Sequence, residues 1–167
     1  MAREFISAGA ETTLTCNSLL AAGDKTEAVT LSSSSVILTR SSEYVDSEDV
    51  YLKDKMDDII ILDHQLHSLH MSNLMRTTVS ASVCSGTVFV DNCVNSVLEF
   101  GGHQVRLHNL RDCKIYLFCN TACIIEDCHG LQIYQYRRNL TAAESECNMW
   151  ANVQDFSFNP DSFTLCY

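Results

Sequence analysis

The chain has 167 residues, 46% of them hydrophobic, which suits one domain with a substantial core. Its formal charge is −10 at pH 7, with 11 Lys and Arg against 21 Asp and Glu, which argues against phosphate-driven binding to nucleic acid and against attraction to an anionic membrane surface. The longest strictly apolar runs, such as Ile59–Leu62, fall far short of the ~20 residues that a membrane-crossing helix needs.

The first residues, MAREFISAGAETTL, lack the basic-then-apolar order of a secretory signal, and position 2 is not the glycine that myristoylation requires. Residues 2–10 have the look of a cloning remnant. Residues 1–50 are poor in large apolar side chains, are rich in Ser, Thr and acids, and include a four-serine run at 32–35. This composition predicts a largely mobile segment, with Val36–Thr39 as an added strand. From Tyr51 the texture changes, and residues 51–167 form the predicted folded domain. Short β-branched segments centred on Ile60, Leu69, Val79, Val88, Val97, Val105, Ile115, Ile124 and Ile133 recur about every nine residues. Asp, Asn, Gly, Ser and Cys separate them, as in VDNCVN, HNLRDC and IEDCHG. A fixed step without helical periodicity predicts a parallel β-solenoid, or β-helix. Three steps per coil give a three-faced solenoid of about 27 residues per coil. Val79, Val105 and Ile133 would then stack on one face, Ile60, Val88 and Ile115 on a second, and Leu69, Val97 and Ile124 on the third, around one continuous apolar column. An antiparallel sandwich uses strands of similar spacing. The Asn-Gly, Asp-Gly and Pro turns that mark sandwich hairpins are absent from 51–140, however, and the one proline is Pro160. After Tyr136 the repeat stops. Thr141 with Glu144 three residues later is a capping-box pattern that predicts a short helix, and Trp150, Phe156, Phe158 and Phe163 are expected to close the end of the column.

The nine cysteines, at 16, 84, 93, 113, 119, 123, 128, 147 and 166, include no CxxC pair. Disulfide scaffolds are shorter, and the spacing from Cys119 through Cys123 to Cys128 is a loose match to a zinc site. These residues are expected to be free thiols in a reducing compartment, with Cys93, Cys113 and Cys128 buried at corners between strands. In that compartment the Asn139-Leu140-Thr141 sequon is inert. His64 and His70 would share a strand face and His67 would point away, so the three do not converge on a metal ion. Neither GxxxxGK[ST] nor GxGxxG occurs to cradle a nucleotide, and there is no G-x-S-x-G elbow.

Residues 101–108, GGHQVRLH, combine a glycine pair with an alternating strand. If Val105 and Leu107 face the core, Gln104 and Arg106 face outward together, and Gly101 and Gly102 are expected to leave the approach to Arg106 bare. In a 27-residue coil Glu126 would stack one turn beyond Glu99, ~4.8 Å away, and a nearby cation such as Arg106 would relieve the repulsion. On geometry alone an outward arginine is an ordinary solvated side chain.

The stretch from Val88 to Tyr134 resembles the cofactor C-like domain family. That family includes the C-terminal domain of tubulin-binding cofactor C and the related domain of the X-linked retinitis pigmentosa protein, an activator of Arf-like GTPases. TVFVDNC, HQVRLHNLRDCKIYLFC and CIIEDCHGLQI carry the resemblance, with WANVQDF after the repeat. The resemblance implies a right-handed parallel β-helix. It further implies that Arg106 is an arginine finger for a partner's nucleotide site, with Gln104 and Glu126 supporting it, in an activator that has no nucleotide site, cofactor or metal of its own. The implied partners are the tubulin heterodimer with tubulin cofactors D and E, and an Arf-like small GTPase. The implied setting is a cytoplasmic, cytoskeleton-associated monomer. Two departures are visible: Gly102 and His103 stand where the family commonly has Cys and Gln, and Gln154 and Phe158 where relatives often have Asp and Trp. The same superfamily contains the actin-binding domain of cyclase-associated protein, a scaffold with no need of an outward arginine. The Gln-x-Arg motif separates the two readings and is present here.

Overall fold

The computed structural model describes residues 48–167 and, before them, the backbone of three short strands, β1 (Ser7–Ala8), β2 (Glu11–Thr12) and β3 (Val36–Thr39). The expected mobility of the rest of the first 47 residues falls outside the described residues. The added strand at 36–39 is present, and β1 pairs antiparallel with β2. The chain continues through β4 (Glu48–Met56), β5 (Ile59–Leu62), β6 (Leu66–Met75), β7 (Thr78–Val83), β8 (Thr87–Val94), β9 (Val97–Gly102), β10 (Gln104–His108), β11 (Lys114–Cys119), β12 (Cys123–Glu126) and β13 (Leu131–Gln135). A helix, α1 (Ala142–Cys147), and strands β14 (Val153–Asp155) and β15 (Phe163–Cys166) complete it.

The result is a parallel β-solenoid, but with two strands per coil and not three. Even-numbered strands from β4 to β14 form one sheet, and odd-numbered strands from β3 to β15 form the other. From β4 to β13, matching residues in successive coils are 17 to 19 positions apart. The step of nine is therefore one strand, and the three-faced coil of about 27 residues is corrected. Val79 stacks with Ile60, Leu98, Ile115 and Ile133, whereas Val105 lies in the other sheet with Leu69 and Val88. The reason is a tight corner that reverses the chain without a third strand. Each coil carries two left-handed residues three apart: Asp54 and Asp57, Asn73 and Arg76, Asn92 and Asn95, Asn109 and Asp112, Asp127 and Gly130. Asn, Asp and Gly reach positive φ most readily, which is why this corner is built from them. Their amides bond one coil on, as Asp57 N–H donates to Met75 O and Arg76 N–H to Val94 O, both at 3.0 Å. Their side chains form a ladder, Asn92 Nδ2 to Asn73 Oδ1 at 2.8 Å and Asn73 Nδ2 to Asp54 Oδ1 at 2.7 Å. Arg76 interrupts the chemistry of that corner but binds Asp57 of the preceding coil through Nε and Nη2.

Between the sheets Leu62, Leu69, Met71, Leu98, Phe100, Leu107 and Leu117 are almost wholly buried in one apolar column. Thr141 caps α1 in the predicted capping box, with Glu144 N–H donating to Thr141 Oγ1 at 3.2 Å and Thr141 N–H to Glu144 Oε2 at 2.7 Å. Trp150 and Phe163 pack on the core as expected. Phe156 and Phe158 do not, being 55% and 88% exposed. The segment 136–140 is a strap along the molecule. Tyr136 Oη donates to Ala81 O at 2.8 Å, Arg138 pairs with Asp63, and the Arg137 guanidinium lies 3.6 Å over the Tyr116 ring.

The cysteines among the described residues are free, and Cys93, Cys113 and Cys128 are buried at the tight corner. Each donates its thiol to a carbonyl two residues back, Asp91, Arg111 and Glu126 respectively. Desolvation pushes Cys93 up to about 12 and Cys113 to about 11, and raises Cys128 as well. Thiolate is the reactive form, so a native-state thiol reagent should modify exposed Cys147 first and leave these three untouched until unfolding. Mass spectrometry after a timed pulse checks this, and rapid modification of all three would contradict the buried corner. No group of three or more His, Cys, Asp and Glu among the described residues is arranged to hold a metal ion. His67 meets Ser85, whereas His70 stacks on Tyr51. Among the described residues no helix is long and apolar enough to cross a membrane.

Candidate functional face

Alternation along β10 settles which side chains leave the core. Val105 and Leu107 are buried, and Gln104 and Arg106 are exposed between them. The register then fixes their neighbours on the outer face of the even-numbered sheet. Gln104 lies beside Thr87. Arg106 lies between Phe89 of β8 and Ile124 of β12, and His108 lies between Asp91 and Glu126. The three residues singled out from the sequence, Gln104, Arg106 and Glu126, therefore share one face on adjacent coils.

Arg106 makes no side-chain hydrogen bond or ion pair among the described residues. Arg76, Arg137 and Arg138 differ, since each is engaged, with Asp57, with Glu99 and Tyr116, and with Asp63 respectively. Its neighbours in the column are apolar or aromatic: Phe89 and Ile124 flank it, and beyond Phe89 come His70 and then Tyr51.

Two expectations about this face are corrected. Gly101 and Gly102 do not clear an approach, because both are buried. A Cβ on Gly101 would sit 2.8 Å from Phe118 Cβ, and one on Gly102 would sit 2.9 Å from Val88 Cγ2. The pair allows close packing beneath the face and not access above it. Glu99 and Glu126 are not stacked either. Glu99 belongs to the other sheet, is 7% exposed, accepts from Ser80 Oγ at 3.0 Å and from Arg137 N–H at 3.2 Å, and is covered by the strap. Once the coil has two strands, a separation of 27 residues falls between coils.

His108 escaped the sequence reading. Its Nδ1 is 2.7 Å from Asp91 Oδ1, and its Nε2 is 3.6 Å from Asp127 Oδ2. The Asp91 hydrogen bond raises its pKa above the ordinary histidine value, with smaller support from the charges of Asp127 and Glu126. Continuing the alternation from Arg106 would have placed His108 on this face. Finding Asp91 beside it required the true coil length.

A parallel solenoid that holds an unpaired arginine and an amide on a regular, exposed strand face is a rigid presenting module. The family model for tubulin binding cofactor C matches residues 47–156, two thirds of the chain, and this chain belongs to that family. It is 33% identical over 94 residues to the tubulin-specific chaperone C of Dictyostelium discoideum, covering 55% of this chain and 22% of that protein. It is 26% identical over 133 residues to the tubulin-specific chaperone C of Bos taurus, covering 74% and 39%. It is 31% identical over 100 residues to the tubulin-folding cofactor C of Arabidopsis thaliana, covering 54% and 29%. The chain thus aligns with between 22% and 39% of the length of these relatives. Gln104, Arg106 and Glu126 all lie inside the matched span.

Proposed function

We propose that this chain acts in tubulin folding as an activator of GTP hydrolysis, with Arg106 supplied in trans to the nucleotide site of its partner. The observation that carries the reading is an exposed, unpaired Arg106 in the middle of a regular strand face. Phosphoryl transfer spreads negative charge over the γ-phosphate oxygens and the leaving oxygen, and a planar, permanently charged guanidinium offsets that charge at more than one oxygen. Paired internally, Arg106 would first have to break that pair. Free, it has no pair to break, and because the rigid sheet already fixes its backbone the ordering cost on docking is confined to the side chain. Gln104, exposed two residues before it, supplies an amide that can donate and accept at the same rim, and Glu126 offers an acceptor one coil on. The names of the relatives point to tubulin as the client; that tubulin is also the GTPase, acting with tubulin cofactors D and E in the cytoplasm, is part of the proposal. An Arf-like small GTPase is the second target that the Gln-x-Arg motif suits.

The deciding experiment measures GTP hydrolysis by tubulin with cofactors D and E, with and without this chain, and in parallel by an Arf-like GTPase. Acceleration in the tubulin reaction is expected. No acceleration in either reaction would leave a non-catalytic scaffold of the actin-binding type as the better account.

A further inference from the structure

Arg106 stands between two carboxylates to which it is not bound. Two residues beyond its register partner Phe89 is Asp91, and two beyond its other partner Ile124 is Glu126, all on the same outer face. Diagonal neighbours on a sheet face lie about 7–8 Å apart, within the reach of an arginine side chain. An arginine side chain in this position can reach either of them. His108 stands in the way, on the same strand and face as Arg106 and directly between Asp91 and Glu126. We infer that His108 is a positioning residue that occupies Asp91, offsets the charge of Glu126 and Asp127, and so keeps the Arg106 guanidinium free for a partner. This rests on the arginine-finger reading above and adds a means of regulating it.

The groups around His108 define the electrostatics. Asp91 approaches from β8, Glu126 and Asp127 from the end of β12, and Arg106 lies on its own strand. Arg111 and His129 line the hollow on the far side, beside Asp127. Three carboxylates close to His108 favour its protonated form, with the hydrogen bond to Asp91 the largest cause. While His108 is cationic, Asp91 has a partner and the face is nearly balanced. As pH rises through the raised value of His108, that charge is lost and Asp91 and Glu126 draw Arg106 toward themselves. Stimulation of GTP hydrolysis should therefore fall toward alkaline pH.

The test uses the full chain and three variants, His108→Gln, His108→Lys and the pair His108→Gln with Asp91→Asn. The first readout needs no GTPase: ¹⁵N relaxation and shift of the Arg106 Nε–H. In the parent at pH about 6 this group should be mobile, and in His108→Gln it should be ordered by pairing with Asp91. Asp91→Asn should release it again, and His108→Lys should keep it mobile at every pH. The second readout is stimulated hydrolysis from pH about 6 to about 9, relative to an Arg106→Ala control. The parent should lose about two- to fivefold, the scale of a weak exposed pair, His108→Gln should be low throughout, and His108→Lys should be flat and high. A mobile Arg106 and parental stimulation in His108→Gln at both ends of the range would overturn the role of His108. An Arg106→Ala control as active as the parent would instead defeat the finger reading, while the relaxation result would still decide whether His108 controls the arginine.

Discussion

Arg106→Ala should abolish most of the stimulated GTP hydrolysis, a loss of about 10³- to 10⁵-fold if the finger contributes as trans-acting arginines do. The chain itself should remain folded, because Arg106 is exposed and holds no partner, and substitutions of that kind usually cost within ~0.5 kcal/mol. Arg106→Lys should fail almost as badly, since an ammonium is a point charge that cannot bridge two oxygens in one plane. Binding to the partner should survive both changes, because the finger acts mainly on the transition state. Single-turnover hydrolysis together with a separate binding measurement checks all three statements. A folded, bound Arg106→Ala protein that accelerates hydrolysis as the parent does would transfer the function to the scaffold reading.

The largest loss of stability is expected from Phe100→Ala. Phe100 points inward from β9, is fully buried, and pairs in register with Leu117 on β11. On its other side the β7 ladder shifts register between Ser80 and Val83, so the ring lies beside an irregular stretch. Truncating a buried phenylalanine removes its transfer energy and leaves a cavity that neighbouring coils cannot easily close, at about 3–5 kcal/mol. Domains of this size are stable by only about 5–15 kcal/mol, so that is a large fraction of the total. Equilibrium unfolding in urea should show the midpoint falling sharply, and a change below ~1 kcal/mol would mean that the column is not the core.

The sequence reading went furthest where the signal was local. Alternation of Val105 and Leu107 against Gln104 and Arg106 shows which side chains face out, and Thr141 with Glu144 marks the start of α1. The number of strands per coil was not legible, because hydrophobic segments nine residues apart are compatible with either two or three. A better signal was present in the corners. The pairs Asp54 and Asp57, Asn73 and Arg76, Asn92 and Asn95, Asn109 and Asp112, Asp127 and Gly130 fall at every second step, so two steps close a coil. Arg76 breaks the Asx pattern of that column, which hides it from composition alone. The coil length carries into the site: three strands per coil place Glu126 over Glu99, whereas two place His108 between Asp91 and Glu126. Gly101 and Gly102 were misread for a different reason. A glycine that gives access and a glycine that accepts a neighbouring ring are the same letter, and the difference lies in Phe118 and Val88, which only packing brings close.

Most bonds between coils join residues fewer than twenty positions apart, and a stack held only that way can peel from either end, one layer at a time. The strap changes that behaviour. From Tyr136 to Ala81 it spans 55 positions, and from Arg138 to Asp63 it spans 75. Opening of the layers at Asp63 and Ala81 therefore also disturbs the layer that ends at Tyr136, and the layers between are made to melt as a unit. Closing so long a loop is entropically costly, so the strap can seat only after the layers beneath it are in place. It works as a latch that shuts last and must open first. The layer bearing Arg106 lies between the one the strap leaves, at Tyr136, and those that receive it, at Ala81 and Asp63, so the strap ties down the arginine's platform from both sides.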